Sequence, residues 1–181
     1  MRPLTNSAML SMTVLAADIV ELVEHFHNYE VWFGKTNPQT ATDWGTADDL
    51  AVFQCISGNA VYGADADDEA LVIGTDNTPF RAGMTLFDFH RILIIDFSHG
   101  APYMMRFAWG DTTLAQAIID EQYTMIPVLT PNLPVAQSGG IVFEIMMPRI
   151  RAGIDQVWAQ CKNATDDATL DFLVGLHEYA V

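Results

Sequence analysis

Positive charge is scarce in this chain: eight Lys and Arg stand against 23 Asp and Glu, for a formal charge of −15 at neutral pH and a pI near 4.3. A surface of that sign repels phosphate backbones and anionic lipid, so neither nucleic acid nor a membrane surface is an expected partner. Cysteine is sparse as well. Cys55 and Cys161 lie 106 positions apart and match no metal-ligand spacing. Each sits in an apolar, strand-like run (AVFQCIS and VWAQCKN), which reads as a buried free thiol, with a bridge between the two left open. Long apolar runs are also missing. The patch near the start is interrupted by Asp18, Glu21 and Glu24, too early for a spanning helix, and a secretory cleavage pattern is poor, so the expectation is a soluble protein. There is no GxSxG, no phosphate loop, no GxGxxG and no cysteine paired with a plausible base. No catalytic residue, cofactor or metal is therefore expected, and the chain reads as a non-enzyme.

What the chain has is apolar material. Hydrophobic residues make up 50% of 181 positions, enough for one substantial core. The densest stretch spans residues 84–97, rich in β-branched and aromatic side chains. A Ser98-His99-Gly100-Ala101-Pro102 break follows, and then Tyr103, Met105, Phe107 and Trp109 alternate with Met104, Arg106 and Ala108. Two runs joined by such a break read as antiparallel neighbours.

Residues 13–29 carry helical spacing, with Ile19, Leu22 or Val23 and Phe26 on one side, acidic residues on the other and Thr13 as a cap. Residues 1–34 are read as a helical arm ending in an aromatic segment, and 35–181 as the main domain. Strand-like runs follow at 50–56, 60–62 and 70–73, separated by a polar loop at 39–49 that holds Trp44 and by the acidic loop 63–69. Residues 111–122 predict a short inserted helix capped by Asp111 or Thr112. Runs at 123–129 and 141–147 precede what reads as the clearest hairpin: 156–162, a turn through 163–167, and 168–179. On its return limb Leu170, Phe172, Val174 and Leu176 alternate with Thr169, Asp171, Leu173 and Gly175. Seven to nine short strands without βα alternation predict an all-β fold, an antiparallel two-sheet sandwich of jelly-roll type with an N-terminal helix and one short inserted helix.

The five histidines are the obvious place to seek chemistry. His25 and His27 would share a face on a strand but point apart on the helix inferred there. Asp88 and His90 share a strand face and, with His99 or His177, would complete a two-histidine, one-carboxylate metal set. The competing reading makes them the polar side of a half-buried strand, bonded to neighbours or to Arg91 and Arg106. Asp65, Asp67, Asp68 and Glu69 offer oxygens for Ca²⁺ but lack the glycine and terminal glutamate of an EF-hand loop, so a solvated acidic turn is expected. The Asn163-Ala164-Thr165 triplet matches a glycosylation acceptor. Asp166 and Asp167 fall in a turn, where a raised pKa is not expected. Among the tryptophans, Trp32, Trp109 and Trp158 read as core, and Trp44 as the exposed candidate for stacking on a sugar.

Segments at 25–34 (HFHNYEVWFG), 43–75, 87–98 (FDFHRILIIDFS), 102–110 (PYMMRFAWG) and 157–179 together resemble a group of virion proteins of tailed bacteriophages. The resemblance implies a jelly-roll-like virion component, such as a decoration, cement or spike protein, that binds other virion proteins and copies of itself. A trimer or another closed oligomer is expected, with the N-terminal helix and residues 29–33 as contact elements. Two rival expectations are a carbohydrate- or receptor-binding sandwich using Trp44, and a cupin-type metal enzyme using His90 with His99 or His177.

Overall fold

A computed structural model describes residues 30–34, 52–63, 65, 67–74, 83–128 and 141–180. Among these residues are eleven strands and one helix: β1 (Glu30–Phe33), β2 (Phe53–Gly58), β3 (Val61–Tyr62), β4 (Ala70–Ile73), β5 (Leu86–Phe97), β6 (Tyr103–Gly110), α1 (Leu114–Ile119), β7 (Tyr123–Val128), β8 (Ile141–Glu144), β9 (Ile150–Arg151), β10 (Gln156–Lys162) and β11 (Thr169–Tyr179). They make two antiparallel sheets. The larger runs β3-β2-β11-β5-β8, with β1 added to β11 and β9 to β5; the smaller runs β4-β10-β6-β7. The all-β sandwich expected from the sequence is what forms. The expected N-terminal helix lies outside the described residues.

The core is what the two sheets hide between them. β11, β5 and β2 supply Leu170, Phe172, Val174, Leu176, Phe87, Phe89, Ile92, Ile94 and Phe53; β6, β7 and β10 answer with Tyr103, Met105, Phe107, Ile126, Val128, Val157 and Ala159. Five phenylalanines form a continuous chain through it. Phe53 meets Phe172 at 5.7 Å, Phe172 meets Phe107 edge-on at 5.9 Å, Phe107 meets Phe89 edge-on at 5.8 Å, and Phe89 meets Phe87 at 5.9 Å. Phe107 is the member from the smaller sheet, so the chain ties the layers together. Burying each ring is worth ~2–3 kcal/mol, and an edge-to-face pair adds ~0.5–1.5 kcal/mol.

Both hairpins expected from the sequence are corrected. β5 and β6 are not partners, and neither are β10 and β11: in each case the first strand lies in one sheet and the second in the other. The reason is saturation. β5 uses one edge for β11 and the other for β8 and β9, while β6 is held between β10 and β7. The short connections at 98–102 and 163–168 are therefore arches over the core, and the apolar faces they join meet across it.

Strand β5 also explains why its inward side could not be read by alternation. Register shifts leave His90 and Ile95 without a direct partner on β11, since Phe89 pairs Leu176 and Arg91 pairs Gly175, then Ile94 pairs Phe172 and Asp96 pairs Asp171. Each extra residue is a β-bulge that flips the phase of the strand. The core-facing positions become 87, 89, 92 and 94.

Two boundaries differ from expectation. Residues 30–33, counted with the arm, are β1 and pair along β11 from Glu30 opposite His177 to Phe33 opposite Val174. The inserted helix is capped one residue later than expected: the Thr113 side chain accepts from Gln116 N at 3.2 Å, which satisfies an otherwise orphaned donor. α1 lies over β6, where Ala117 and Leu114 cover Ala108 and Trp158.

Candidate functional site

A group of titratable side chains gathers on the outer face of the larger sheet. β11 places His177 opposite Asp88, and β5 brings His90 to the same face. One Asp88 oxygen accepts a hydrogen bond from the Tyr179 hydroxyl at 2.9 Å; the other lies 3.5 Å from His177 Nδ1. The rings of His90 and His177 stack at 4.5 Å, tilted by 25°, and the Arg149 guanidinium lies 3.9 Å above the Tyr179 ring. Beside them opens a cleft of about 510 Å³ lined by Asp88, His90, Glu144, Met146 and Met147. The segment after β8 forms its rim, pinned by Ile145 N donating to His90 O at 2.8 Å.

Burial pushes the Tyr179 phenol up to about 12, and the neighbouring Asp88 carboxylate adds to the shift by repelling a phenolate. At neutral pH Tyr179 is a fixed donor to Asp88 and no base. Sequence reasoning named Asp88, His90 and His177 as one of the possible metal sets. The fold does bring these three together, but not around a point. Imidazole lone pairs lie in the ring plane, and two planes tilted by only 25° do not meet at the ~2.0–2.1 Å a metal requires. No group of three His, Cys, Asp or Glu side chains among the described residues could hold a metal ion.

His99 is far from this group, beyond the other end of β5. It is tied into the arch, with Nδ1 2.8 Å from Ser98 Oγ and its backbone N donating to the Tyr103 hydroxyl at 3.2 Å. Arg106, proposed as a neighbour of Asp88, sits on the smaller sheet instead. His25, His27 and Trp44 lie outside the described residues.

In the acidic loop, Asp68 N donates to Asp65 O at 3.0 Å and Asp65 N donates to Asp68 Oδ2 at 3.1 Å, which makes a closed turn. Burial pushes the Glu69 carboxyl up. Asp166 and Asp167 are exposed. Asn163 is only 3% exposed; its amide donates to Ala101 O and Pro102 O, and its carbonyl accepts from Thr165 N at 2.8 Å. An amide so engaged is a structural bracket for the arch and not a glycan acceptor. Trp158 is buried under α1, and Trp109 packs partly buried against the core.

The feature that sequence reasoning missed is on the outer face of the smaller sheet. Since Tyr103, Met105, Phe107, Val157, Ala159, Cys161, Ile126 and Val128 face the core, the alternate positions point outward. There Arg106 lies between two tyrosines, its guanidinium 4.0 Å from the Tyr62 ring centre and 5.6 Å from that of Tyr123. Its Nη2 donates to Gln160 Oε1, and Gln160 in turn donates to Gly63 O at 3.1 Å. The Arg106 Nε and the Tyr62 hydroxyl are buried without a hydrogen-bond partner among the described residues. Lys162 approaches the Tyr62 ring at 5.3 Å. Around this stack Leu71 is 46% and Met125 54% exposed. The outward signal was present in the sequence as Arg106 within an alternating run, but its tyrosine neighbours come from strands 44 positions before and 17 after it.

Fold and sites together define an antiparallel two-sheet sandwich that carries aromatic, apolar and cationic groups on one outer face. Compared with protein families and with curated proteins, the chain matches none.

Proposed function

We propose that the chain is a non-enzymatic virion structural protein, a decoration, cement or spike component that works by self-association and attachment to a phage capsid or tail. The observation that carries this reading is the outer face of β6, β7 and β10. On a molecule with a formal charge of −15, the outward positions not covered by α1 or buried, Met104, Arg106, Tyr123, Met125, Pro127 and Lys162, hold two cations and no carboxylate. Depletion of carboxylates together with Tyr, Met and Arg is the composition of a protein–protein interface. The sequence resemblance to phage virion proteins supports the same reading.

The N-terminal helix expected at residues 13–29 is the second contact element. Because β1 belongs to the sheet, removing it would damage the body of the protein, so the deletion to test ends at residue 28. Light scattering coupled to gel filtration should give a closed oligomer, a trimer by expectation, for the full chain. Met125→Glu, or the 1–28 deletion, should shift it toward monomer and reduce co-sedimentation with the phage particles. A full chain that is monomeric and does not attach would overturn the proposal.

A further inference from the structure

Facing sheets normally pack ~10 Å apart, too far for two cysteines on opposite layers to be bridged, since a disulfide needs Cα atoms within ~7 Å. One corner of this sandwich is pinched. Just beyond the ends of β2 and β10, Asn59 and Asn163 form a parallel bridge, and Ala60 N donates to Asn163 O at 2.9 Å. The link between β3 and β4 then laces the same two strands: Gly63 N donates to Cys161 O at 3.4 Å and Ile56 N donates to Asp68 O at 2.9 Å. So close is the approach that a Cβ on Gly63 would stand 2.3 Å from Ile56 O.

Cys55 on β2 and Cys161 on β10 point into this corner. Both are fully buried in one core cluster, with Cys161 near enough to make the Cys55 thiol harder to ionise, and Cys55 Sγ lies 3.9 Å from Leu170 O. We propose that Cys55 and Cys161 are a disulfide-forming pair, a covalent clamp between the two sheets that closes when the protein folds in contact with an oxidant. Both thiols are free as the structure stands. The inference is independent of the virion reading and holds for any role of the sandwich.

With a small-molecule disulfide as oxidant, one deprotonated cysteine attacks a sulfur of that disulfide and expels one small thiolate. The second cysteine, also deprotonated, attacks the protein sulfur of the mixed disulfide, forms the Sγ–Sγ bond and expels the other small thiolate. The two protons lost by the cysteines end on the two departing thiols, and the small-molecule disulfide is reduced by two electrons. Burial pushes the Cys55 thiol up, so the closed native corner reacts slowly and the bond forms during folding or while the corner is open.

The test is to unfold the full chain, refold it either in an oxidising glutathione buffer or with a phosphine reductant, alkylate under denaturing conditions, and take the intact mass and a non-reduced peptide map. The expected result is a monomer lacking two hydrogens and taking up no alkyl group after oxidative refolding, with the peptide holding Cys55 linked to that holding Cys161. Closing a loop of this length should raise the melting temperature by on the order of 10 °C over the reduced form. Cys161→Ala should abolish the linked peptide and the response to oxidant. If that variant does not fold, the map of the unmodified chain decides alone. Two alkylated cysteines after oxidative refolding, or a link found only between molecules, would overturn the proposal.

Discussion

At the scale of single residues, the polar group around Asp88 stores its consequence in Tyr179. The phenol is held up to about 12 in the fold against a usual value near 10, by burial first and by the Asp88 carboxylate second. A raised folded-state value means that the protonated phenol is favoured by folding. The stabilisation is present in full below pH 10 and disappears as pH climbs to about 12. Thermal melts between pH 9 and 12 should therefore show a steeper loss for the native sequence than for Tyr179→Phe, the variant being the less stable of the two at neutral pH because Asp88 loses a donor. Equal slopes would show that Tyr179 titrates freely. Gly63→Ala carries a sharper expectation. The new methyl group would also meet Asp68 Cβ at 2.4 Å, so one backbone segment must move, and chemical denaturation should report a loss of more than ~2 kcal/mol. Asp155 is a third case: buried at 7% exposure, it accepts from Arg151 N at 2.9 Å and from the Arg151 guanidinium at 2.6 and 3.0 Å. Asp155→Ala should cost ~1–3 kcal/mol by the same measurement, since the β9–β10 turn loses its only buried carboxylate among the described residues.

At the scale of elements, strands were legible and their partners were not. β4 occupies the run read as apolar, β6 shows Tyr103, Met105 and Phe107 inward as the alternation implied, and β11 buries Leu170, Phe172, Val174 and Leu176 on the expected side. Composition and alternation are properties of one strand, which is why they survive into the fold. Pairing is a property of two strands and of every competitor for their edges. A Gly-Pro break does not reveal whether the chain turns back alongside itself or arches over a core. The phase of β5 was hidden for a related reason, because a bulge is set by the partner's register and leaves no mark in the local pattern. The polar cluster was half legible. Strand spacing points to Asp88 and His90 and leaves His177 as an alternative to His99, whereas Tyr179 and Arg149 belong to the cluster through pairings and loop placement that no spacing encodes. Phe107→Ala probes the arch architecture directly, because Phe107 is the smaller sheet's link in the aromatic chain. It should cost ~3–5 kcal/mol in denaturant unfolding.

At the scale of the whole molecule, the sandwich sorts its charge. Carboxylates gather at 65–69, 166–167 and around Arg151, while the smaller sheet's outer face holds Arg106 and Lys162 among aromatic and apolar groups. Salt should accordingly strengthen contacts between like-charged bodies while leaving the Arg106 stack largely untouched, since a half-buried guanidinium is screened less than a surface one. Gel filtration across a salt series would register this as an oligomer that persists or grows with ionic strength.

The central strand of the larger sheet is also the last of the described strands to be made. β1, β2 and β5 all hydrogen-bond to β11, across sequence gaps of up to about 147 residues. Until β11 is made, a nascent chain on the ribosome thus carries β1, β2 and β5 each with an edge that lacks its partner. Loop closures of that span make for slow folding, and they leave the growing polypeptide dependent on whatever shields apolar segments in the meantime.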